Sequence, residues 1–188
     1  RFKKSEYYGA VLNILLTCIY GWYLFRTVLR APGHALLGAG GDGGKNYYTY
    51  LYHVLYGKGF HFEGMNYPWG EHISFTDNQP LLAWPLTKLQ SVFHFSVNDL
   101  LLIMNMLIVL SLIATSYLLF RFFSRLGVQP WMGAIFGLLI TFLAPNFYRI
   151  FGHYGLCYSF NIVLTFGFLF SFHQSGRKRY LLYLFFLC

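Results

Sequence analysis

Four of the six acidic residues in this 188-residue chain, Asp42, Glu63, Glu71 and Asp77, fall in one polar stretch from Gly38 to Gln79, together with His53, His61 and His72. Most remaining positions are Leu, Phe, Ile and Tyr, so any chemistry beyond spanning a membrane is expected here. The stretch opens on GGDGGK, where glycines permit positive φ and let a backbone approach a ligand closely. Asp42 at its centre is either a ligand-contacting functional group or the N-cap of a helix starting near Lys45, because Asp is a favoured cap. Four flanking glycines exceed what a cap requires, and Lys45 and Asn46 stand one turn away on the same face, which favours the functional role. Further on, NYPWGEHISFTDNQP gathers Tyr67, Glu71, His72, Asp77 and Gln79 in a loop rich in turn residues. Aromatic rings mixed with acids, amides and imidazole suit sugar recognition. A solvated turn anchored by its aromatics is the plainer alternative.

A third group stands far away in sequence, Arg149 and His153 in NFYRIFGHYGL. Arg binds planar oxyanions in bidentate fashion, so this pair suits a phosphate or pyrophosphate, with snorkelling of Arg149 to headgroups as the alternative. A divalent metal is compatible with the His, Asp and Glu present, but no HExxH or Asp-x-Asp spacing requires one. Cys18, Cys157 and Cys188 show no CxxC spacing and read as apolar fillers.

The elements that must hold these groups are apolar. With 56% hydrophobic and 11% charged residues, the composition excludes an ordinary soluble domain and points to an all-α, polytopic transmembrane protein. Four stretches are long enough to cross a hydrocarbon core of about 30 Å, at 8–29, 100–120, 131–147 and 156–172, and another begins at 180. They form a single transmembrane domain over 1–188 with a large exterior loop at 31–99. The start at Arg1 and the apolar run into Cys188 lead us to expect a piece of a longer polytopic protein. Basic residues cluster at span ends: Arg1, Lys3 and Lys4, then Arg121 and Arg125, then Arg177, Lys178 and Arg179. Alternating spans put all three clusters on one face, the cytoplasmic one, so the polar stretch and the Arg149 to His153 turn lie outside. Arg26 and Arg30 run against this rule and read as snorkelling side chains or as a contact for an anionic ligand. The expected location is a bacterial-type inner membrane, multi-pass, with the N-terminus cytoplasmic. Cations grouped at span ends rather than along a stripe exclude nucleic acid as the partner, despite a formal charge of +8.

Within the exterior loop, apolar residues recur at three- and four-residue steps from Lys45 to Leu55, with Asn46, Thr49 and His53 on another face. A second amphipathic piece covers Leu81 to Phe95 and is interrupted by Pro85. Both are too short to span, and we expect them to lie in the outer interface with Trp84, Phe93 and several tyrosines as belt residues. The segment between them, Gly57 to Gln79, is expected to be turns without regular structure.

This pattern resembles the GT-C superfamily of membrane glycosyltransferases. The matching features are an N-terminus inside, a large first exterior loop with an Asp soon after the first span, interfacial helices in that loop, and a short second exterior loop bearing Arg and His. The resemblance implies transfer of a sugar from a polyprenyl-phosphate-linked donor, approached from the bilayer, to an acceptor on the exterior side. It implies that Asp42 acts as general base in a single inverting displacement, with Arg149 and Lys45 on the departing lipid phosphate. Asn46, His53, Tyr67, Glu71, His72, Asp77, Gln79 and His153 would then bind donor or acceptor. Many members carry an adjacent acidic pair, whereas Asp42 is followed by Gly43 and Gly44. A multi-pass transporter or flippase is the main alternative, although the spans offer only Asn13, Asn105 and Asn161 well inside. A non-catalytic glycan-assembly protein is the third reading.

Overall fold

The computed structural model describes residues 4–187; Arg1, Lys3 and Cys188 of the sequence reading lie outside them. The fold is almost entirely helical: α1 (Lys4–Arg30), α2 (Gly41–Tyr56), α3 (Pro80–Phe93), α4 (Val97–Arg125), α5 (Pro130–Leu143), α6 (Pro145–Tyr148), α7 (Phe160–Ser175) and α8 (Arg179–Leu187). A two-stranded antiparallel hairpin, β1 (His61–Phe62) and β2 (Glu71–His72), pairs His61 with His72 and Phe62 with Glu71. Three helical stretches are long and apolar enough to cross a membrane, Lys4–Arg30, Val97–Arg125 and Tyr154–Ser175. A fourth forms if α5 and Pro145–Phe151, which are bent relative to one another, count as one span. The third expected span, 131–147, thus ends early: Ala144 precedes Pro145, whose ring pushes it to extended backbone (ψ 143°). Pro85, by contrast, is absorbed inside α3 without ending it.

The chain divides into two compact units. One comprises residues up to Leu24, Val109–Phe147 and the chain from Tyr158. Its helices meet through small and polar residues, because lipid gives apolar side chains little reason to associate. A Cβ on Gly9 would lie 2.7 Å from the Pro130 side chain, and one on Gly137 2.7 Å from the Ser116 carbonyl oxygen. Asn13 donates to Ser116 Oγ (2.8 Å) and to the Ala134 carbonyl (3.0 Å), while the Thr17 hydroxyl reaches Ser116 Oγ (2.9 Å).

The other unit comprises Phe25–Ile108 and Tyr148–Cys157. Its core is built on α2, with Tyr47, Tyr50, Val54, Phe62, Ile73, Ala83, Leu100 and Met104 buried. The polar side of α2 is turned inward. Asn46, Thr49 and His53, taken as its polar outer face, are buried, whereas Tyr48 and Tyr56 are exposed. The inversion is eased because helix carbonyls take two of the buried donors: Asn46 Nδ2 donates to Asp42 O and the Thr49 hydroxyl to Lys45 O. The N-terminal part of α4 fixes the loop before α2. Asn105 donates to the carbonyls of Pro32 (2.6 Å) and Ala35 (2.8 Å) and accepts a short hydrogen bond from the Tyr47 hydroxyl.

Candidate functional site

Of the glycines of GGDGGK, Gly43 serves close backbone packing at the start of α2, together with Gly38 just before the motif. A Cβ on Gly43 would lie 2.5 Å from the Gly38 carbonyl oxygen and 3.1 Å from that of Phe151, and one on Gly38 2.9 Å from Phe151 O. The loop and the first turn of α2 are thereby brought against the Arg149–Leu156 segment, backbone on backbone. Two side chains bolt the contact: Asn46 Nδ2 donates to the Asp42 (2.7 Å) and Gly152 (2.6 Å) carbonyls, and the Tyr154 hydroxyl donates to Gly38 O (3.2 Å). Burial raises the pKa of Tyr47, so its hydroxyl stays a donor toward Asn105 in the same cluster. Gly43→Ala is expected to destabilise the protein by about 1–3 kcal/mol through this overpacking. Gly40→Ala, where a Cβ meets nothing within 4 Å, is expected to cost less, about 0.5–1 kcal/mol, from the poorer N-cap alone.

The docking carries Asp42 to His153, with Oδ2 and Nε2 3.6 Å apart. Asp42 does not cap its helix: the N-cap is Gly40, without a side-chain cap bond, and Asp42 sits inside the first turn with its side chain 60% exposed. Beside this pair lies a cavity of about 340 Å³ whose polar lining is Asn46, Ser74, Asp77, Gln79 and His153, with Pro80 and Leu156 as its apolar wall. Lys45 closes on Asp77 (Nζ to Oδ2, 3.2 Å). Among the described residues Asn46 Oδ1 is buried without a hydrogen-bond partner, as are both amide atoms of the fully buried Asn78. Asn78 is flanked by Asp77 and Gln79 at positive φ (56° and 55°), a conformation Gln adopts only when its surroundings enforce it.

The structure therefore brings Asp42, Lys45, Asn46, Asp77, Gln79 and His153 together, from three separate segments. It does not bring in the others. Tyr67 stands 91% exposed on the turn between β1 and β2. Glu71 is held by Asn66 Nδ2 (2.8 Å), and the His72 ring accepts from Ser74 N (3.2 Å) and stacks on Phe60. Arg149 is exposed, and its guanidinium makes no hydrogen bond or ion pair among the described residues. Ser74, on the cavity wall, had no signal beyond its place in a polar loop. Among the described residues no three His, Cys, Asp or Glu converge as a metal centre.

His53, expected as a ligand-binding residue, is a core residue instead. It is fully buried next to Phe62. Desolvation holds its pKa below the ordinary 6.5, opposed only in part by the Gly59 backbone. With the folded pKa lowered, the unfolded chain binds more protons in acid. The contribution of His53 is complete above pH 6.5 and is lost as pH falls from there toward the folded pKa. Melting temperature is expected to drop on going from pH 7 to pH 5, and His53→Phe to flatten that drop.

One family model, described as a domain of unknown function (DUF6311), matches residues 11–188. No curated protein and no solved structure matches the chain.

Proposed function

The chain belongs to the DUF6311 family, and we propose that it is an integral membrane glycosyltransferase that moves a sugar from a polyprenyl-phosphate-linked donor to an acceptor on the exterior side. One observation carries the reading: a carboxylate left uncommitted by its helix stands beside a histidine at the edge of a polar cavity large enough for a sugar ring. The cavity offers acceptors rather than free cations. Asn46 Oδ1 awaits a donor, Asp77 is neutralised by Lys45, and Ser74 and Gln79 add hydroxyl and amide groups. Such a lining favours a neutral, polyhydroxylated ligand over a bare phosphate, because a buried acceptor left unpaired costs about 1–3 kcal/mol.

In the reaction, the acceptor hydroxyl oxygen attacks the anomeric carbon as the bond from that carbon to the phosphate oxygen breaks. Asp42 takes the hydroxyl proton, and His153 steadies its carboxylate. The departing lipid phosphate is a stable anion and needs no general acid. Lys45 is committed to Asp77 and Arg149 stands outside the cavity lining, so neither expected cation is assigned to that phosphate. The reading places the protein in a bacterial-type inner membrane with its N-terminus cytoplasmic, in keeping with the basic residues at one set of span ends. Full-length protein in membranes, supplied with labelled polyprenyl-phosphate sugars, is expected to release the sugar to an acceptor. Binding without turnover on every lipid-linked sugar offered would instead mark a non-catalytic assembly protein.

A further inference from the structure

The last two turns of α4 carry Arg121 and Arg125, four residues apart and therefore on one face of the helix. That face borders a groove of about 80 Å³ shared with α7, where the two arginines stand beside Leu118, Phe122, Val163 and Phe168. Arg125 does not trail away from the groove: its guanidinium donates to Ser171 Oγ on α7 (3.3 Å) and bridges the two helices near their C-terminal ends. This uses one of five N–H donors. Just beyond α7 come Arg177, Lys178 and Arg179, and the charges of Arg125, Arg177 and Arg179 all bear on the Tyr180 phenol. Cations from α4 and from the turn after α7 thus gather at one place. In the sequence of this unit the only acidic residue is Glu6, and one carboxylate cannot balance five cations.

What adjoins the arginines is apolar. Gly167 forms part of the α7 wall, and a Cβ there would meet nothing within 4 Å, so the groove is open at that point. Phe122 and Val163 also line a second cavity, of about 340 Å³, between α4, α5 and α7. Thr115 and Thr141 on its wall turn their hydroxyls back onto the carbonyls of Ser111 and Gly137 (2.7 Å each), so both are already satisfied. Asn146 and Ser159 line its far end, by the start of α7. Arginines at one end of an apolar crevice match a molecule with an anionic head and a hydrocarbon tail. Val97–Arg125 and Tyr154–Ser175 are long and apolar enough to cross a membrane, whose lipids are such molecules. Free phosphate would leave the apolar walls uncovered, and a protein helix seated there would have to bring acidic side chains to the depth of the arginines.

We propose that the groove between α4 and α7 is a binding site for an anionic phospholipid, its phosphodiester taken by Arg121 and Arg125 and an acyl chain laid along Leu118, Phe122 and Val163 into the cavity beyond. A guanidinium holds a phosphate in bidentate fashion, and Arg177, Lys178 and Arg179 extend the positive field around it. Phosphatidylcholine is disfavoured, because its own ammonium would enter that field. A lipid so held ties α4 to α7 beside the edge-on contact of Phe122 with Phe170 (5.5 Å). Sugar transfer plays no part in this, so failure of either reading leaves the other standing.

The test is thermal unfolding of full-length protein in a non-ionic detergent, with dioleoylphosphatidylglycerol, dioleoylphosphatidylcholine or inorganic phosphate added. A ligand that binds only the folded state raises the melting temperature. Phosphatidylglycerol is expected to raise it, and the other two to leave it unchanged. Arg121→Gln with Arg125→Gln is expected to raise the phosphatidylglycerol concentration that gives half the shift by about tenfold or more. Lys58→Gln with Lys88→Gln, which removes two exposed cations from the other unit, is expected to keep the parental response. Gly167→Leu keeps both arginines but fills the groove, and is expected to abolish the shift. Melting of each variant without lipid checks that it is folded. No shift with phosphatidylglycerol, or an equal one with phosphatidylcholine or inorganic phosphate, would overturn the proposal. An undiminished shift in the arginine variant or in Gly167→Leu would overturn it too, by showing attraction to the surface at large rather than to this groove.

Discussion

Asp42→Asn is expected to lower sugar transfer by about 10²- to 10⁴-fold, the range contributed by a positioned general base. The geometry makes this a clean substitution. Asp42 caps nothing and packs little, and its carboxylate contacts only His153 among the described residues. Its remaining structural contribution is a negative charge in the first turn of α2, worth about 0.3–1 kcal/mol against the helix dipole. Thermal unfolding of the variant is therefore expected to stay close to that of the parent while turnover collapses. His153→Gln is expected to cost less than Asp42→Asn, since it removes a neighbour of the base rather than the base. If Asp42→Asn transfers sugar at the parental rate, Asp42 is not the proton acceptor, and the reading of the site as a glycosyltransferase centre loses its principal support.

The second large effect is on folding. Asn105→Leu removes one side chain that satisfies three groups at once, the carbonyls of Pro32 and Ala35 and the Tyr47 hydroxyl. Asn105 is itself fully buried, and leaving buried partners unpaired costs about 1–3 kcal/mol each before any relaxation. A loss of about 3–5 kcal/mol is expected, read as a shift in the denaturant midpoint and as faster proteolysis within residues 31–37. Asn161→Leu is the matched comparison, because Asn161 also lies in an apolar helix but is exposed there. It is expected to change stability by less than about 0.5 kcal/mol. Equal losses in the two variants would mean that Asn105 does not hold the loop.

These two asparagines show where sequence reading stops. Both are single polar residues within apolar runs, and nothing local separates them. Which one meets partners depends on residues 58 to 73 positions away in the chain. The same limit applied to the loop. Tyr67, Glu71, His72, Asp77 and Gln79 are close in sequence, yet the hairpin pairing turns Glu71 toward Asn66 and His72 toward Phe60, leaving Asp77 and Gln79 at the cavity.

Sequence alone determined the helical class and the places of the long apolar helices, because length and hydropathy are additive along the chain and need no partner. It also singled out Asp42 and the Arg149 to His153 segment, because ionisable groups are conspicuous against an apolar background. Only the tertiary structure decided that α2 is a core helix with its polar residues inward, since amphipathic spacing fixes which residues share a face but not what that face meets. It likewise decided that Gly38 and Gly43 serve a close backbone crossing, which depends on contacts with a residue more than a hundred positions away. That crossing is what sets Asp42 beside His153.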